Sequence, residues 1–272
     1  MAAEHSHDPV SHVLDQNTLE FPGFEVHLPA LDLGFVKLQL TRFMVMELIA
    51  AVIVAVSFIA LSRHAQRNLV TRGRFFNMLE AMVLFVKDQI AKPAFGGHGE
   101  EKFLPFLLTL FFFIMVNNLL GLVPGGATAT GNFNVTAVLA GLTFATVVFN
   151  GVRTSGPVGF WTSLVPPLDV PMWMKVPLWI LMFFVEVLGL LIRHVVLAVR
   201  LCANMFVGHI ILAVLLGFII QASGALFYLV MPLSIVLSLP MNLLEIFVGL
   251  LQAYIFTFLT ALFIGSAVHP HH

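Results

Sequence analysis

The sequence predicts an all-α integral membrane protein with five membrane helices and one interfacial amphipathic helix. Three observations carry this. Hydrophobic residues make up 59% of the 272-residue chain and charged residues only 10%, more apolar surface than a soluble core can bury. Apolar runs bounded by charges or turn residues cover residues 43–61, 103–123, 135–151, 176–221 and 225–268, each long enough for a hydrocarbon layer about 30 Å thick. Charge also thins along the chain, since after Lys175 the only Lys, Arg, Asp or Glu are Glu186, Arg193, Arg200 and Glu245.

Residues 1–42 form an acidic leading segment, because the first 36 hold six acids and no Lys or Arg. They lack the basic start and apolar centre of a signal peptide. Residues 43–152 hold the first three spans. Arg63, Arg67, Arg72 and Arg74 follow the first of these, and Arg153 and Lys175 bracket the loop 153–175. Short basic loops face the cytoplasm, which puts the acidic segment outside and the tail 269–272 inside. Between the first two spans, Phe75, Leu79, Met82, Val83, Val86 and Ile90 recur at helical spacing. An interfacial helix near 74–92 is expected, and a helix packed on a partner protein fits the same pattern equally. Pro124, Gly125 and Gly126, with the polar stretch Thr128 to Asn134, close the second and third spans into a hairpin.

Composition also excludes functions. Net charge is −1 with the basic residues scattered, so no nucleic acid is expected as a partner. Cys202 is the single cysteine and reads as a small packing residue. Neither a Walker-type nor a dinucleotide glycine pattern occurs, so the chain binds no nucleotide directly, and no cofactor or metal is expected. A haem anchor through His194 and His209 fails because the two lie fifteen residues apart on one helix and no CxxCH motif exists.

The run 176–221 would be about 70 Å long as one helix, against about 30 Å of hydrocarbon. It must break near Arg193 and Arg200 or tilt strongly. No Gly, Pro, Asn or Asp occurs between Leu190 and Ala203, so a tilted, unbroken helix is favoured, and residues 176–268 become a tilted two-helix hairpin. Glu186, Arg193 and Arg200 are spaced by seven, which drifts only about 20° per step, so they share a stripe. Asn204 lies one turn further, and His209 falls opposite Arg200. Ser238, Glu245 and Gln252 make a second stripe with the same spacing. An arginine within a span costs roughly 2.5–3.5 kcal/mol on insertion scales and marks function by default. A secondary transporter with a midplane Arg200/Glu245 site is the alternative, but it predicts inverted repeats that are not evident.

Arg200-Leu201-x-x-Asn204, Gly208 and the later Gln252 resemble subunit a of the rotary F-type ATP synthase. Asn118-Leu-Leu-Gly-Leu-Val-Pro124 and Asn132-Phe-Asn134-Val-Thr136 extend the resemblance over most of the chain. It implies a stator subunit in a bacterial inner membrane, with a c-subunit ring, b-type peripheral stalk subunits, the lipid bilayer and protons as partners. Arg200 would attract the ring carboxylate and block direct leak between two half-channels. Asn204 and Gln252 would hydrate the route beside it. Glu245 and His209 would handle protons in the outer half-channel, in the exchanged order resembling mitochondrial forms. Glu186 would line the cytoplasmic exit, and the resemblance also allows Arg193 a role near it. Interfacial anchoring is the simpler role for Arg193 and His194.

Overall fold

The computed structural model describes residues 18–21, 24–27, 30–32, 37–39, 41–67, 73–97, 99–123, 129–165 and 171–268. The turn at Pro124 to Gly126, Arg72 and the tail 269–272 lie outside them, as does most of the leading segment. Within that segment two short antiparallel pairs occur: β1 (Thr18–Phe21) with β2 (Phe24–His27), and β3 (Ala30–Asp32) with β4 (Lys37–Gln39). Leu19, Phe21, Phe24 and Val26 alternate with polar residues, the period of a strand. The all-helical expectation therefore holds for the membrane region, and the leading segment departs from it.

Eight α-helices follow among the described residues: α1 (Arg42–Arg67), α2 (Arg74–Phe85), α3 (Lys92–Phe95), α4 (Glu100–Gly121), α5 (Phe133–Ser155), α6 (Pro157–Ser163), α7 (Met172–Gln221) and α8 (Ala225–Val268). Five of them, α1, α4, α5, α7 and α8, are long and apolar enough to cross a membrane. The chain is a multi-pass membrane protein. A π-helical stretch, Val86–Ala91, joins α2 to α3. The short α6 was not expected; Gly156 at φ 80° and Pro157 at the first helical position start it.

Helix α7 is unbroken over 50 residues, about 75 Å at about 1.5 Å per residue. The absence of turn residues between Leu190 and Ala203 has the consequence expected from sequence. Pro232 and Pro240 sit inside α8 without ending it. Gly224 at φ 63° supplies the left-handed residue between α7 and α8 that a side chain would strain.

The residues form two compact units, one comprising the chain up to Arg67, Phe112–Val135 and Leu201–Ala253, the other Asn68–Phe111, Thr136–Arg200 and Tyr254–His272. In the first unit Phe43, Met46 and Ala129 form a buried cluster. In the second, the apolar face of α2 and the π stretch is buried at Leu79, Val86 and Ile90, and the Phe85 ring lies against Phe111 and Tyr254. This amphipathic segment covers much of its apolar face with its own chain, while Phe75 stays 54% exposed.

Candidate functional site

In the first unit, α7 and α8 bring together four of the residues singled out above. Asn204 Nδ2 donates to Gln252 Oε1 at 3.2 Å. Gln252 is buried, and its Nε2 has no partner among the described residues. One heptad earlier on α8, Glu245 is also buried, with His209 Nδ1 3.8 Å from Oε1. That separation exceeds direct hydrogen-bond length, and one bridging water would close it. Neither carboxylate oxygen of Glu245 has a hydrogen-bond partner among the described residues, so the group retains capacity to bind water or exchange a proton.

A hydrogen-bond chain braces this region. Thr130 Oγ1 donates to Asn118 Oδ1 at 2.7 Å, and Asn118 Nδ2 donates to Gly249 O at 2.9 Å. Gly249 is one turn beyond Glu245, and a Cβ there would meet Met205 Cε at 3.1 Å and Asn118 Cβ at 3.4 Å. Cys202 packs as expected and donates its thiol to Gly131 O at 3.2 Å. Ser238, the first member of the α8 stripe, is half-buried and donates to Ile235 O instead.

The second unit carries the other stripe. Glu186 is half-buried, while Arg193 and Arg200 are exposed on α7. Among the described residues Arg200 makes no ion pair or hydrogen bond. Arg193 Nη2 lies 3.8 Å from where a Cβ of Gly189 would be, so its side chain runs back along the helix. His194 contradicts the interfacial assignment. It is 3% exposed, lies between the rings of Phe144 and Phe263, and donates from Nδ1 to Leu190 O at 2.8 Å. The reason is angular: His194 is 100° round the helix from Arg193, on the face that also buries Leu197 and Leu201.

These side chains sit in a chain whose residues 44–265 match the family model described as ATP synthase A chain. The chain belongs to that family. It is 43% identical to the ATP synthase subunit a of Chloroherpeton thalassium over 97% of this chain and 78% of the relative. Identity to ATP synthase subunit a 2 of Chlorobaculum tepidum is 41%, over 94% of this chain and 71% of the relative. For ATP synthase subunit a of Myxococcus xanthus it is 40%, over 90% and 78%. The family match covers every residue of both polar stripes.

Sequence reasoning missed three contributors. Asn118 and Thr130 were visible only as a motif and a polar hairpin, because their pairing joins residues twelve apart to a carbonyl 131 positions later. Gly208 is the third, visible from sequence only as part of the family resemblance and not as a neighbour of Glu245. A Cβ at that position would lie 2.6 Å from Glu245 Oε1 and 2.8 Å from Cδ, so only glycine leaves the carboxylate where it is. Gly208→Ala is expected to displace Glu245 and lower coupled proton transport by about tenfold, one pK-unit equivalent of interaction energy, while the complex assembles normally. Rates of ATP-driven acidification in vesicles check this. Wild-type rates in Gly208→Ala would show that the close approach has no functional weight.

Proposed function

We propose that this chain is the stator of the membrane rotor of ATP synthase, forming two proton half-channels against a ring of c subunits. Proton flow is coupled to rotation through Arg200. The observation that carries the reading is the contrast between the two stripes. Arg200 is an exposed cation without a partner among the described residues, whereas the Glu245 carboxylate is buried with both oxygens unsatisfied. A permanent charge on an apolar helix needs an opposite charge from outside the chain, and a membrane carboxylate on each ring subunit supplies one.

In this reading protons enter by the outer half-channel, where Glu245 and His209 pass them toward the ring. Asn204 and Gln252 line the route beside Arg200 with hydrogen-bonding groups. Each ring carboxylate is neutralised, rides through lipid, and loses its proton again near Arg200 toward an exit flanked by Glu186 and Arg193. The guanidinium suits this position because it stays charged when desolvated, where a lysine can lose its proton. Each charge that crosses 100 mV releases about 2.3 kcal/mol, so several are needed per nucleotide. Helices α7 and α8 lie strongly tilted in the bilayer, since their length exceeds its thickness. The amphipathic segment from Arg74 lies at the cytoplasmic surface beside the basic loops. The acidic segment is periplasmic and the tail cytoplasmic in a bacterial inner membrane, with b-type stalk subunits holding the stator.

The test is Glu245→Leu in the complete complex reconstituted in vesicles. Loss of a positioned proton-transfer group lowers ATP-driven proton pumping by about 100-fold or more, with assembly verified by subunit content. Pumping within a factor of about two of wild type would remove Glu245 from the path, since positioned acid–base groups contribute far more than that.

A further inference from the structure

His194 is a buried polar side chain that the proposed proton route does not use. It lies on the face of α7 that also buries Leu197 and Leu201, and the rings of Phe144 on α5 and Phe263 on α8 stand 5.2 and 5.1 Å from its own. All three rings belong to the second unit. Nδ1 is 2.8 Å from Leu190 O, and because a carbonyl only accepts, Nδ1 carries the hydrogen. Nε2 of the neutral ring is then an acceptor. It is buried without a hydrogen-bond partner, alone in this among the described side-chain atoms of the second unit.

Phenylalanine would fill the slot without an unsatisfied nitrogen, whose burial forfeits a hydrogen bond to water. Such an atom calls for an occupant, and the surrounding wall suits a water. Thr143 precedes Phe144, and Thr260 lies one turn before Phe263; both are fully buried. Their hydroxyl hydrogens go to Ala140 O and Phe256 O, each at 2.8 Å, so their oxygens keep lone pairs. A water that donates to Nε2 and to one of these oxygens has the two partners a buried water needs.

The level of His194 on α7 gives this water a use. Glu186 and Arg200 are about 21 Å apart along the helix, too far for one hydrogen bond. Between them the only polar side chains on α7 are Arg193 and His194. A guanidinium has no acceptor, so His194 Nε2 is the single side-chain acceptor in that stretch, about 9 Å along the axis from Arg200 and about 12 Å from Glu186. On α5, Thr143 and Asn150 are spaced by seven and share a face that leads to the loop 153–175.

We propose that His194 Nε2 holds a buried water where α5, α7 and α8 meet, and that this water relays protons from the level of Arg200 toward the loop 153–175. The exit then passes inside the subunit, behind the exposed face that carries Arg193 and Arg200. A proton reaching the water bonds to its oxygen, while the O–H turned toward α5 releases its proton to the next water. The imidazole keeps its one N–H hydrogen throughout. The relay rests on the reading of the chain as a proton-conducting stator; the water itself does not.

The complete complex is imaged by electron cryomicroscopy at a resolution that shows ordered water, and His194→Gln, His194→Phe and His194→Leu are assayed in vesicles. A water density within about 3.2 Å of Nε2 is expected. Glutamine sets an amide oxygen where Nε2 stands and does not titrate, so His194→Gln should pump protons within about a factor of two of wild type, whereas both apolar variants fall about tenfold, the weight of one hydrogen bond. Absence of the density overturns the proposal, and so do wild-type rates in assembled His194→Phe and His194→Leu. An equal loss in His194→Gln overturns it as well, since a titrating base would then be at work. Failure of both apolar variants to assemble would assign His194 to folding and overturn it too. Retained coupled pumping in Arg200→Ala ends the stator reading and the relay with it, but has no bearing on the density at Nε2, so the two failures are told apart.

Discussion

Arg200→Ala is expected to abolish ATP-driven proton pumping by the complete complex and to raise passive proton leak through it. The two effects have one cause. Arg200 stands exposed on α7 with no partner among the described residues, so its charge is available to a carboxylate on another subunit. In a dry interface, removing one member of such a pair costs on the order of 3–5 kcal/mol because the other is left uncompensated. Each 1.4 kcal/mol is about a factor of ten, so coupling drops by at least about 100-fold. Under the proposed function, a protonated ring carboxylate could also pass between the half-channels once the cation is gone, which would appear as leak. Arg200→Lys should recover little, since a desolvated ammonium can release its proton and is a point charge rather than a planar fork. Pumping and leak are measured on the same vesicles, with ring content as the control. Retained coupled pumping in Arg200→Ala would end the stator proposal.

Gly265→Val is expected to cost the second unit its packing between α8 and α3. A Cβ at Gly265 would run into Ala94 O and lie 3.2 Å from Ala94 C. Both obstacles are backbone, so no side-chain rotation relieves them, and the helices must separate. That separation opens the buried sites of Ile264 and Phe95. Overpacking of this kind costs about 1–3 kcal/mol, and more where backbone must move. Gly141→Ala and Gly217→Ala make the comparison, because nothing lies within 4 Å of a Cβ at either position. Those two should be neutral or stabilising by up to about 1 kcal/mol through helix propensity. Thermal inactivation of the purified complex reads all three. Equal stability of Gly265→Val and Gly141→Ala would show that the α3–α8 approach adapts without cost.

The helices were legible because their signals are local. Apolar runs gave four of the five spans to within about four residues at each end, and the uninterrupted stretch from Leu190 to Ala203 was enough to choose one helix over two. The charge census singled out Arg200 and Glu245 before any geometry, since charged groups in an apolar run stand out by rarity, and helical spacing added His209 and Gln252. The strands were not read, because four alternating residues in an acidic segment compete with ordinary loop composition. His194 was placed at the interface by its neighbour Arg193, although 100° of helix separates their side chains.

The sequence by itself determined the membrane class, the number of spans, the unbroken α7 and the identity of both polar stripes. Each follows from hydropathy and helical periodicity within one segment. Only the tertiary structure decided that Glu245 and Gln252 on α8 are buried while Arg193 and Arg200 are exposed, that Gly208 makes room for Glu245, and that Asn118 links Thr130 to Gly249. Those facts depend on which helix faces meet. In a nearly all-apolar helix many faces can be buried equally well, because lipid and protein interior are alike to a leucine.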